Sequence, residues 1–133
     1  MRTVELRIGN KLFDYNNRII TISLIDYPIQ LKKYFVGCKE NHSRYTINDI
    51  KPIPLTEQWL KDFGFDQLCT KRADEQFDNY EIYNKEDFQI DKAQEEQDEK
   101  GYWFFINGYS INIVYVHQLQ NLYFALTGKE LIK

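Results

Sequence analysis

Two cysteines and two histidines are the residue types best able to do chemistry in this chain, and their spacing limits what they can do. Cys38-Lys-Glu-Asn-His42 sets a thiol and an imidazole four residues apart, with Cys69 and His117 as completing ligands for a metal ion. Structural zinc sites are built from paired short-spaced ligands, and here only one such pair exists. The expectation is therefore a buried thiol and a loop histidine, with no metal or other cofactor. Asp26 together with Asp49-Ile50-Lys51 has the residue types of a carboxylate-lysine nuclease, in which two acids hold a cation beside the attacked phosphate. Yet Lys51 runs directly into Pro52, where a catalytic strand would have to continue. Charges at strand ends facing water are the simpler reading. No Gly-x-Ser-x-Gly elbow is present, and the six glycines stand singly, so neither a serine nucleophile nor a phosphate loop is built. The expectation is a protein that is not an enzyme.

Binding chemistry is better supplied. Lys32, Lys33 and Tyr34, with Lys39, Arg44 and Tyr45, put cations and stackable rings into one stretch of short strands. Single-stranded nucleic acid needs that combination, because phosphates want charge and bases want π-faces. Against it stands a net charge of −3, which leaves little for neutralising many phosphates. A small nucleotide asks for less: two or three cations, one ring and an amide to read the base edge. Lys32, Lys33, Arg44, Tyr45, Asn121 and Phe124 are the candidates for that ligand.

The charge is unevenly spread. Residues 1–62 carry ten Lys/Arg against seven Asp/Glu, and residues 63–133 carry seven against thirteen. Seven carboxylates fall in the fourteen residues from Glu86 to Glu99, which read as a solvated, mobile insert over 85–100, since like charges resist compaction. A decoy for a basic, nucleic-acid-binding partner and a cation site are the sharper alternatives.

The elements that must position these groups can be read from period and turn chemistry. Val4, Leu6 and Ile8 alternate, Asn16-Asn17 is a turn, and Ile19 to Ile25 alternate as a strand that ends at Asp26-Tyr27-Pro28. Leu31 to Cys38 and Arg44 to Ile47 read as further strands. So many short strands in residues 1–50 favour a small, curved antiparallel sheet of SH3-like kind. Residues 51–65 hold an extended Pro52-Ile-Pro-Leu connector and a short helix, capped by Thr56 and stopped at Gly64. In residues 66–114, Phe77 to Tyr83 reads as a strand. Asn107-Gly108, between the apolar run Tyr102–Ile106 and the alternating Tyr109, Ile111 and Ile113, is a strong hairpin signal. The unbroken first run predicts a central strand buried on both faces.

Residues 115–128 form a final amphipathic helix, expected to cover that hairpin. Tyr115, Val116, Leu119, Leu122, Tyr123 and Leu126 fall in one arc about 120° wide, the width of a core-facing stripe. His117, Gln120, Asn121 and Phe124 lie on the other side, where an aromatic among polar groups predicts an interface, either with a partner or with a second copy in a homo-oligomer. The whole is expected to be one α+β domain.

Glu5-Leu-Arg-Ile-Gly-Asn10, Pro52-Ile-Pro-Leu-Thr-Glu-Gln-Trp-Leu-Lys-Asp-Phe-Gly-Phe65 and Tyr115-Val-His-Gln-Leu-Gln-Asn-Leu-Tyr-Phe-Ala-Leu-Thr-Gly128 resemble, in that order, a family of small uncharacterised proteins encoded by phages, prophages and mobile elements of gut bacteria. That resemblance implies a genetic setting and no catalytic residue. It points to a phage accessory protein, a counter-defence factor that sequesters a nucleotide signal or binds a host protein. A nucleic-acid-associated accessory protein is the alternative, and a metal-dependent nuclease a distant one. The opening Met-Arg-Thr-Val-Glu-Leu-Arg lacks the apolar segment of a secretory signal, and no run of eighteen apolar residues exists. The host cytoplasm is the expected location, with no membrane partner.

Overall fold

The computed structural model describes residues 6–41, 43–70, 80–92 and 101–132 and shows an α+β protein of two compact units. The first comprises residues 1–53 and 115–130, and the second residues 54–114 and 131–133.

In the first unit β1 (Lys11–Asp14), β2 (Ile19–Asp26), β3 (Phe35–Cys38), β4 (Arg44–Thr46) and β5 (Ile50–Lys51) form an antiparallel sheet in the order β4-β3-β2-β1-β5. A single turn of 3-10 helix, Ile47–Asp49, brings the last strand back beside the first. This is the SH3-like sheet expected from the run of short strands, left open rather than closed into a barrel. A register shift between Ile22 and Leu24 kinks β2, the usual device for curving a small sheet. Leu12, Ile20, Ile22, Val36, Cys38, Tyr45 and Ile50 make its core.

The first strand differs from the alternation of Val4, Leu6 and Ile8. Val4 lies outside the described residues, and Arg7 to Asn10 is a turn with Gly9 at φ +97°. The third strand is also shorter than Leu31 to Cys38, because Pro28 to Lys33 folds on itself as a loop.

The closing helix α2 (Val116–Thr127) lies within the predicted residues 115–128, with Tyr115 outside it as N-cap and Gly128 at φ +72° as the expected left-handed stop. It groups with the first unit, not with the hairpin it was expected to cover. Its Val116 N–H donates to the Ile53 carbonyl at 2.8 Å.

In the second unit α1 (Glu57–Asp62) is capped by Thr56, whose hydroxyl accepts the Trp59 N–H, and Gly64 at φ +90° ends it. β6 (Asp66–Thr70), β7 (Tyr80–Lys85), β8 (Phe88–Lys92), β9 (Tyr102–Ile106) and β10 (Tyr109–Ile113) form a simple antiparallel meander. The Asn107-Gly108 turn has both φ values positive, +49° and +82°, as its hairpin requires. Phe88 stacks on Phe104 at 4.7 Å, and Tyr83 meets Tyr102 edge-on at 5.8 Å.

Two expectations are corrected here. β9 has neighbours on both sides but is buried on one face only, with Tyr102 and Phe104 inside and Phe105 exposed. The acidic insert placed at 85–100 begins instead as strand: Glu86 and Asp87 are its turn, and Phe88 and Ile90 are buried while Gln89 faces out. Acidic side chains on an outer face do not oppose a strand whose alternate residues are apolar. Residues 93–100, and the Phe77 end of the strand expected from Phe77 to Tyr83, lie outside the described residues.

Candidate functional site

The residues singled out for chemistry are largely spent inside the fold. Asp49 accepts from the Thr46 N–H at 3.1 Å and the Thr46 hydroxyl at 2.9 Å, closing the 3-10 turn. Lys51 Nζ donates to Asn17 Oδ1, and Asp26 pairs with Arg44 at 3.2 Å. The nuclease constellation is therefore three separate structural contacts. Cys38 is buried with its thiol 3.2 Å from Asn41 Oδ1, and His42 lies outside the described residues. Among the described residues no group of three His, Cys, Asp or Glu is gathered for a metal ion.

The predicted interface on α2 turns inward. His117 and Gln120 are each 1% exposed, so neither belongs to a contact surface. Val116, Leu119, Gln120 and Tyr123 form the buried stripe, rotated from the predicted arc so that Leu126 is left outside. Gln120 can occupy that stripe because both ends of its amide are hydrogen-bonded. Its Oε1 accepts the Lys11 N–H at 2.9 Å and its Nε2 donates to the Gly9 carbonyl at 3.0 Å. Asn121 Oδ1 accepts from Asn10 Nδ2 at 2.8 Å and from Arg7 Nε at 3.2 Å. The Arg7 guanidinium also pairs with the Glu130 carboxylate and lies 4.3 Å over the Phe124 ring, leaving that ring 38% exposed. Arg7, Asn10 and Glu130 were not singled out from sequence. Together these groups clamp the turn before β1 onto the helix, and the second face of α2 serves the fold.

The nucleotide set is dispersed by the same facts. Tyr45 is 2% exposed in the sheet core, Arg44 is held by Asp26, and Asn121 and Phe124 are held by Arg7. Arg44 and Phe124 are exposed but held by Asp26 and Arg7, whereas Lys32 and Lys33 are exposed without an ion pair among the described residues.

That surface is the β2–β3 loop, Tyr27-Pro-Ile-Gln-Leu-Lys-Lys-Tyr34. It has a definite internal structure. The Tyr27 and Tyr34 rings meet at 4.7 Å across its base. The Pro28 carbonyl accepts the N–H groups of Leu31 at 3.0 Å and Lys32 at 3.1 Å, and Lys32 takes the left-handed conformation at φ +52°. So closed, the loop holds Ile29 at 79% and Leu31 at 57% exposure. Scattered surface aliphatics are ordinary, but two in an ordered loop beside two lysines form a patch that the fold itself does not use. Lys33 Nζ lies 5.7 Å from the Phe35 ring, and neither lysine makes an ion pair among the described residues. The sequence signal is an aliphatic pair between Pro28 and Lys32, masked because Leu31 also fits the start of the strand that follows.

Comparison of the chain with protein-family models, curated proteins and solved structures finds no match. The reading of the site therefore rests on its own geometry.

Two carboxylates in the first unit are held in their charged form. Burial pushes the Asp14 carboxyl up, but the backbone N–H groups of Arg18 and Asn16 and the Arg18 guanidinium outweigh it and keep it below the ordinary range. Burial likewise pushes Glu40 up. The Thr21 N–H and hydroxyl, its own N–H and the nearby Lys11 charge outweigh that and lower it. A carboxylate with a depressed folded-state pKa contributes stability that is present above its unfolded value and lost as pH falls through the folded one. Thermal stability of the first unit is thus expected to be level from neutral pH to about pH 5 and to fall steeply below about pH 4. Asp14→Asn is expected to lower the neutral-pH midpoint and flatten that fall. A circular-dichroism melting series against pH checks this, and an unchanged acid limb in the variant would refute it.

Proposed function

We propose that the protein is an accessory protein of a phage or mobile element that acts by binding, in the host cytoplasm, with the β2–β3 loop as its contact surface. The ordered exposure of Ile29 and Leu31 beside Lys32 and Lys33 carries this reading. A loop already closed by its own hydrogen bonds and ring pair loses little further entropy when it docks, so the aliphatic surface it buries is turned efficiently into affinity. A counter-defence role, in which the chain occupies a host component, fits such a surface and the genetic setting suggested by the sequence. Capture of a small nucleotide is less well supported, since Tyr45, Asn121 and Phe124 have other partners. Nucleic acid has use for the lysines and tyrosines but not for an aliphatic tip.

The test is site-specific photo-crosslinking in the living bacterial host. A diazirine side chain at position 29 is expected to yield host-derived adducts, while the same group at the exposed Asn48 yields none. No adduct from position 29, or equal adducts from both, would overturn the reading.

A further inference from the structure

We infer that the β2–β3 loop is a docking element for an anionic lipid surface, an inference that rests on the binding role just proposed for it. Its side chains are graded as a bilayer interface is graded. Ile29 and Leu31 are the most exposed of its large apolar side chains, while Tyr27 and Tyr34 pair at the base and are about half exposed. Lys32 and Lys33 follow directly, both exposed, with four-carbon stems that let the ammonium groups reach outward while the chain stays low. Aliphatic side chains favour the acyl boundary, tyrosines the headgroup level, and lysines the lipid phosphates.

Charge complementarity names the surface as anionic. Residues 27–34 contain two cations and no acid, and the neighbouring Asp26 carboxylate is paired with Arg44. The chain's net charge of −3 does not cancel this attraction, because fields are screened beyond about 8 Å at physiological ionic strength. Between Ile29 and Leu31 the tip carries one hydrogen-bonding side chain, Gln30, so its outermost surface is mainly aliphatic. No described helix is long and apolar enough to cross a membrane. Two aliphatic side chains insert less than one acyl anchor, whose association constant is about 10⁴ M⁻¹, so attachment is weak and reversible.

The test uses sedimentation of the full chain with vesicles of phosphatidylethanolamine and phosphatidylglycerol, three to one, and with pure phosphatidylcholine vesicles. Binding is expected to the anionic vesicles at physiological ionic strength, and at least tenfold less to phosphatidylcholine. I29S/L31S is expected to lower partition at least tenfold, and K32A/K33A about twenty-fivefold, at roughly fivefold per lysine. All four positions are exposed, so both variants should melt with the parent protein, which separates lost docking from lost folding. Parent protein remaining in the supernatant at millimolar anionic lipid, or variants sedimenting like the parent, would overturn the lipid inference. The crosslinker at position 29 distinguishes the two levels. A lipid adduct supports both, a protein adduct keeps the loop as a contact surface and overturns the lipid, and no adduct overturns both.

Discussion

Gly101→Ala is expected to lower the melting midpoint of the second unit by about 15 °C, corresponding to a loss of about 3 kcal/mol. Two costs combine. Gly101 sits at φ +81°, where an L side chain costs about 1–2 kcal/mol. A Cβ there would also run into the Ile113 carbonyl oxygen and come within 2.9 Å of the Val114 Cα. Those are backbone atoms at the end of β10, so they cannot swing aside as a side-chain tip would, and the strand itself must shift. Gly108→Ala is the internal control. It shares a positive φ of +82° but has nothing within 4 Å, so it should carry the conformational cost alone. Trp59 and Trp103 are the chain's two tryptophans and both belong to the second unit, so fluorescence melting reads this unit. Equal losses at positions 101 and 108 would show that the backbone contact contributes nothing.

Gln120→Leu is expected to destabilise the first unit by about 3 kcal/mol, although it replaces a polar residue on a buried helical stripe with one of similar size. The substitution removes the acceptor for the Lys11 N–H and the donor to the Gly9 carbonyl, leaving two half-buried backbone groups unsatisfied at about 1–3 kcal/mol each. The first unit has no tryptophan, so the readout is circular dichroism together with hydrogen exchange at the Lys11 amide. Protection at that amide should drop more than the global loss accounts for, because its partner is gone even while the unit stays folded. Arg7→Ala, which removes a partly exposed ion pair and a ring contact, is expected to cost only about 1 kcal/mol. A Gln120→Leu protein as stable as the parent would mean that the amide is filler and the clamp unimportant.

Several elements were legible because their causes are local. Asn107-Gly108 demands a two-residue turn whatever surrounds it, since few other residues tolerate two successive positive φ angles. Thr56 and Gly64 bound α1, and Gly128 stops α2, through groups within a turn of each helix end. Strand β2 followed from its alternation. The β8 strand was obscured because seven nearby acids dominate the composition, while only Phe88 and Ile90 carry its period.

The sequence by itself determined both helices, the Asn107-Gly108 hairpin and the alternating strand β2, because backbone preference and residue spacing are properties of neighbours along the chain. Tertiary structure alone decided the fate of the polar side of α2. A glutamine is inside or outside according to whether its amide finds partners, and the partners of Gln120 lie more than a hundred residues away at Gly9 and Lys11. The same holds for the nucleotide candidates. Tyr45 was taken by the core and Asn121 by Arg7, and a loop between two strands was left holding the aliphatic and basic groups that the fold did not need.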